Sequence, residues 1–174
     1  MRWKGGFATA AALMALQGCF ASREPLVTQQ ESARAFGQQG FARKVSFDRM
    51  GGGPLSDLVA YHWTGSGYEI VSIANPRDRA QYQVALLDRE WILAQVIEGG
   101  RATYGLGRRE GPRIWTYAPE CRQLTDGDRA ALKLEFADGQ TCLVESRTQL
   151  RAALARAVQN GLRPNGYYEV VARP

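Results

Sequence analysis

Three cysteines and a single histidine are the residues of this chain best suited to chemistry. Cys121 and Cys142 stand far apart, and one histidine cannot complete a four-ligand set with them. Zinc chemistry is therefore poorly supported. His62 sits between Tyr61 and Trp63 in a strand pattern. To drive hydrolysis it would need a nucleophilic serine and an orienting acid. No serine stands in a Gly-x-Ser-x-Gly elbow, and Ser66 in Thr64-Gly65-Ser66-Gly67 lacks that spacing. The commoner role of such a residue is a structural or exposed histidine. Asp126-Gly127-Asp128 pairs two carboxylates, but the further oxygen ligands of a calcium loop are missing. A helix cap at Thr125 or Asp126 explains them better. Gly105-x-Gly107, followed by Arg108 and Arg109, could cradle an anion. No helix pattern follows, which argues against a dinucleotide site, and strand glycines more often mark a bulge or a close backbone approach. Arg101, Arg108, Arg109 and Arg113 fall on adjacent hairpin strands and form a candidate contact for an anion or a partner. A solvated edge is the ordinary alternative. The residues imply no cofactor and no metal.

The third cysteine has a different setting. Arg2 and Lys4 precede an apolar run from Phe7 to Leu16, and Leu16-Gln17-Gly18-Cys19 follows. A basic start, a short apolar middle and a small residue before the cut make a secretory signal. The apolar run is shorter than the ~20 residues that a membrane-spanning helix requires. The cysteine after Leu-x-Gly resembles the lipobox of bacterial lipoproteins, with Gln17 at a position where small residues are commoner. The resemblance covers the first nineteen residues alone. It implies cleavage before Cys19 and acylation of that cysteine, removing residues 1–18. Each buried methylene contributes ~0.8 kcal/mol, so several acyl chains would anchor the protein for good. It also implies a location in the cell envelope facing the periplasm. Phe20 after the cysteine, rather than Asp, favours the outer membrane over the inner.

Removal of residues 1–18 takes away Arg2 and Lys4. That leaves 22 − 2 = 20 basic side chains against 17 acidic ones, a net charge of +3. This is too mild for a nucleic-acid binder, so no nucleic-acid partner is expected. In an oxidising compartment the remaining pair, Cys121 and Cys142, should form a disulfide. Closing a loop of that length stabilises by roughly 3 kcal/mol in the chain-entropy account.

The elements that would hold these residues can be read from periodicity. Residues 20–40 are rich in Gln, Ser, Arg and Gly and read as a tether. Thr28 and Glu31 have capping-box spacing for a short helix within it. From Phe41 to Asp48 apolar and polar residues alternate, until Gly51-Gly52-Gly53-Pro54 breaks the pattern. Residues 58–63 and 68–74 read as a hairpin across Thr64–Gly67. The stretch 76–98 has helix-like ends, yet at 100° per residue its polar side chains fall all round the wheel. Two strands, 82–88 and 91–97, fit better, and the second is apolar on both faces, as a covered strand should be. Further strands follow at 102–108 and 113–118. Leu132, Leu134 and Phe136 alternate with Lys133 and Glu135 as a half-buried strand, returning over 140–145. A two-residue Asp138-Gly139 turn would set Cys142 opposite Glu135. A three-residue turn with Gly139 in the left-handed region shifts the register and puts Cys142 on the apolar face, which is the favoured pairing. Ser146 and Gln149 then cap a helix over 147–160, closed by Gly161 and Pro164. Residues 167–172 form a last strand.

These elements predict a single α+β domain over 41–174: a mainly antiparallel sheet, open or partly closed as a barrel, with one C-terminal helix packed on it. The functional expectation is a membrane-anchored, non-enzymatic binding or structural module. Its partners would be the bilayer through Cys19 and an envelope protein or acidic headgroup. Alternatives are an envelope hydrolase using His62 or carboxylates, and a periplasmic enzyme inhibitor inserting the loop 49–57.

Overall fold

A computed structural model of the chain describes residues 20–47, 53–137 and 140–172. Strand β1 (Phe20–Ser22) and a single 3₁₀ turn (Gln29–Glu31) come first. An antiparallel meander follows: β2 (Gln39–Phe47), β3 (Pro54–Trp63), β4 (Tyr68–Ser72), β5 (Arg79–Leu86), β6 (Trp91–Glu98), β7 (Arg101–Glu110) and β8 (Arg113–Tyr117). A second 3₁₀ turn (Cys121–Gln123) leads to helix α1 (Asp126–Ala131), then β9 (Glu135–Ala137), β10 (Thr141–Leu143), helix α2 (Arg147–Gln159) and β11 (Gly166–Val171).

The last strand closes the sheet. β11 pairs antiparallel with β8 on one side and β2 on the other, while β6 pairs with β7, so eight strands form a closed barrel. Period-two alternation then sorts the side chains into a lumen and an outer wall. Ala42, Val59, Tyr61, Tyr68, Ile70, Tyr82, Val84, Ile92, Val96, Ile114 and Tyr168 are buried together inside. One end of the lumen is plugged by residues from before the barrel. The Phe36 ring meets Tyr68 at 5.1 Å, and the Tyr68 hydroxyl bonds the Phe36 backbone. Gly107 faces this interior: a Cβ there would lie 3.0 Å from Ile114 Cγ2. It marks a close backbone approach.

A second core lies outside the wall. Leu150, Ala153, Leu154 and Ala157 of α2 pack with Ala85, Leu93, Leu106 and Tyr117 of the barrel. The predicted helix is thus present, and β6 is covered on both faces as its composition requires. Ser146 caps α2 by accepting from Gln149 N at 3.1 Å. Only that half of the expected capping box forms, because the Gln149 amide turns to Glu145 N and Leu132 O. Gly161, at φ +85°, ends the helix.

Beside the barrel, β7 forks. Its C-terminal half pairs with β8, and its N-terminal end pairs with β1 at Ala21↔Thr103. β1 runs parallel to β10, which pairs antiparallel with β9. Cys142 faces Phe136, the register favoured from sequence, while the turn at 138–139 lies outside the described residues.

Three expectations are corrected. Residues 20–40 are no free tether: Phe20 and Val27 are fully buried, and Ala35 is buried in the lumen core. Thr28 and Glu31 make one 3₁₀ turn there and no longer helix. Residues 132–134 are not strand. Thr125 accepts from Asp128 N and opens α1, so Leu132 becomes its C-cap and Lys133 takes a left-handed turn at φ 51°. The alternation of Leu132 and Leu134 reflects two side chains reaching the core from a helix exit. Finally, α+β overstates the helices. The barrel dominates, and α2 is the one helix of substantial length among the described residues.

Candidate functional site

Cys121 and Cys142 form a disulfide, with 5.4 Å between their Cα atoms. It ties the segment after β8 to β10, and both residues are fully buried. Cys19 lies outside the described residues, as do residues 49–52 of the loop 49–57. The rest of that loop belongs largely to β3.

The four arginines singled out by spacing do not converge. Arg108 and Arg113 lie on the outer wall. Arg108 pairs with Glu90 and Glu110 at 3.3 Å, beside the Trp91 ring. Arg113 pairs with Glu169 at 2.9 Å and lies 4.9 Å from the Tyr167 ring. Arg109 faces the other way and donates to the Ala35 carbonyl at 2.6 Å, holding the plug. Arg101 sits opposite Glu98 at the far end of the β6–β7 hairpin. Alternation explains the scatter, since neighbours in a strand point to opposite faces. His62 is also on the outer wall, 3.5 Å from Glu69, and no hydroxyl among the described residues bonds it. Asp126 and Asp128 serve α1. Hydrogen bonds from Thr125 and Asn160 hold the Asp128 carboxyl below its usual range. No group of three or more His, Cys, Asp or Glu side chains that could hold a metal occurs among the described residues.

Two features were not legible in the sequence. Within the lumen, Lys44 stands across from Asp57 on β3 and Tyr168 on β11. Burial lowers the Lys44 ammonium pKa, and Asp57 and Asp78 oppose that shift. Burial pushes both the Tyr82 and Tyr168 hydroxyls well above their usual range, so both stay neutral donors. This polar layer lies among residues the wall already packs.

The second feature is a cleft of about 640 Å³ at the barrel end where β2, β8 and the α2–β11 connection meet. Phe47, Glu120, Arg122, Gln123, Arg163 and Asn165 line it. Asn165 fixes its floor: its amide donates to Thr116 O at 2.8 Å, and its carbonyl accepts from Phe47 N at 2.9 Å. Its side-chain Oδ1 is buried without a hydrogen-bond partner. Glu120 is nearly fully buried and pairs with Arg122. Arg163 is exposed and forms no ion pair among the described residues. Phe47 packs at an angle against Trp115 and Tyr167, each ring centroid 6.2 Å away, so an aromatic strip runs from the cleft up the outer wall. Sequence reasoning missed the cleft because its residues come from three distant segments. Asn165 and Pro164 read only as helix-terminating residues. The cleft offers the Arg163 guanidinium, the Arg122–Glu120 pair and an aromatic wall. Arg163 can hold an anionic group there.

Comparison with known proteins finds no match. No protein-family model, curated protein or solved structure aligns with this chain. No helix among the described residues is long and apolar enough to cross a membrane.

Proposed function

We propose that the chain is a lipid-anchored, periplasm-facing module of a bacterial cell envelope that binds another envelope component without transforming it. The address rests on the signal sequence and on Cys19. The Cys121–Cys142 disulfide supports it, since such bonds persist in oxidising compartments. The binding role rests on one observation: the 640 Å³ cleft with the exposed Arg163, which forms no ion pair among the described residues, beside Phe47. The partner suited to this cleft presents an anionic group, with an apolar part for Phe47. The cleft replaces the four scattered arginines as the contact. Because buried side chains pack the lumen, the proposed contact lies on the outside of the barrel.

Two measurements test this. The first is intact mass and membrane partition of the protein from a Gram-negative host, beside Cys19→Ala. The expected wild type has lost residues 1–18, gained acyl mass and stays with the membrane, whereas the variant is released. Retention of the N-terminus, or solubility of both forms, sinks the address. The second is cross-linking in intact cells from a photoreactive residue at position 163. An adduct that Asn165→Leu abolishes supports the cleft; the same adducts from a residue on the opposite wall remove it.

A further inference from the structure

The lack of a tether sets where the barrel must sit. If the chain is cut and acylated at Cys19, the anchored residue is one peptide bond, about 3.8 Å, from Phe20. Phe20 is fully buried in β1, which is hydrogen-bonded to β7 on one side and β10 on the other. The chain stays fixed beyond it. Val27 is buried, and its N–H and carbonyl bond the Gln95 side chain on β6. There is no slack between the acyl chains and the folded body.

We propose that the outer edge of the small β1–β10–β9 sheet, centred on Phe136, rests against the lipid headgroups of the bilayer that holds Cys19. This rests on the lipidation reading and adds an orientation to it. Register supplies the distance. Phe20 pairs with Cys142, and Cys142 pairs with Phe136. Neighbouring strands lie ~4.8 Å apart, so Phe136 is about 10 Å across the sheet from Phe20. The headgroup region of one leaflet is roughly 5–8 Å deep. A body with its first residue in that layer brings Phe136 to it as well when the small sheet lies along the bilayer surface.

The chemistry of the edge suits such a surface. Phe136 is 50% exposed on the terminal strand of the sheet, an unusual place for a large apolar ring. The Arg129 guanidinium lies 5.1 Å from the ring and is held by the Cys121 and Leu124 carbonyls and by Asp126. Lys133 is exposed nearby and forms no ion pair among the described residues. An aromatic ring beside an exposed lysine is a pair that settles at a membrane interface, ring toward the acyl boundary and ammonium toward phosphate. Among the described residues of this edge, Glu135 pairs with Arg23 at 3.9 Å, and Asp126 with Arg129. The bilayer would also cover the free backbone edge of β9, which is otherwise open to pairing with another chain.

The test uses the full acylated protein in vesicles of phosphatidylethanolamine and phosphatidylglycerol, with or without acyl chains brominated near the headgroup. Phe136→Trp adds an indole at the edge. Ser56→Trp adds one on β3, which lies across the barrel from β7. The emission each variant adds to the parent is followed. Contact predicts that bromine removes roughly half or more of the added emission at 136 and little of that at 56. Acylated, sedimenting protein with equal or no quenching at both positions overturns the orientation and leaves the anchor standing. Protein whose mass shows no acylation overturns the anchor, and the orientation falls with it.

Discussion

Gln95 should be the most sensitive single contact between the N-terminal segment and the barrel. It is 1% exposed on the outer wall of β6. Its Oε1 accepts from Leu26 N and Val27 N, both at 2.9 Å, and its Nε2 donates to Val27 O at 3.1 Å. Gln95→Leu keeps the volume and removes all three bonds. Leu26 N retains a partner, because the Tyr104 hydroxyl is 3.1 Å away. Val27 N and Val27 O do not, and Val27 is fully buried. Two orphaned groups at about 1–3 kcal/mol each give an expected loss of roughly 2–6 kcal/mol. The loss should be local, since lumen and α2 contacts are untouched. Native-state amide exchange should show residues 20–36 losing protection while Leu93 and Leu106 keep theirs. Urea unfolding supplies the total. Gln83→Ala removes only a half-buried partner of Gln95 and should cost less than about 1 kcal/mol. If Gln95→Leu matches the parent within about 0.5 kcal/mol while the Val27 amide stays protected, the polar clamp is not what holds the segment.

Lys133→Gly should stabilise the domain by about 1 kcal/mol in urea, because Lys133 holds a left-handed turn that glycine adopts freely. Replacing both Cys121 and Cys142 by alanine should cost roughly 3 kcal/mol; an oxidised-against-reduced comparison on the parent should agree. Asp128 has a depressed folded pKa, so its contribution to α1 is present above the ordinary carboxylate range and lost as pH falls through the folded value. Its carboxyl carbon shift should titrate below the ordinary aspartate range, and Thr125→Ala should move that midpoint up. Leu150→Ala, at a fully buried position under α2, should cost about 2–5 kcal/mol by thermal unfolding.

Much of the barrel was legible because short antiparallel strands print period two directly into the sequence. The strands from Phe41 to Ala118 were found near their true bounds, including β5 and β6, where a helix wheel excluded the competing helix. Helix α2 was legible from its stripe and from Ser146 and Gly161. Closure was not, because it depends on β11 meeting β2 across most of the chain, and alternation is the same in an open and a closed sheet. The N-terminal segment was misread because its composition is polar, although Phe20, Val27 and Ala35 carry its burial. Residues 132–134 were misread because a helix exit and a strand can both place every second side chain inward. The cleft could not be read at all: Phe47, Glu120, Arg163 and Asn165 are brought together only by the seam.

That seam makes the order of assembly matter. The first and last barrel strands, Gln39–Phe47 and Gly166–Val171, close it. Until Gly166–Val171 emerges, β2 and β8 each present an unpaired edge. Such edges recruit strands from other chains, and a fold that joins its ends last is slow to form. A nascent copy is therefore at its most aggregation-prone just before β11 is made. A chain cut before Gly166 would stay permanently in that state.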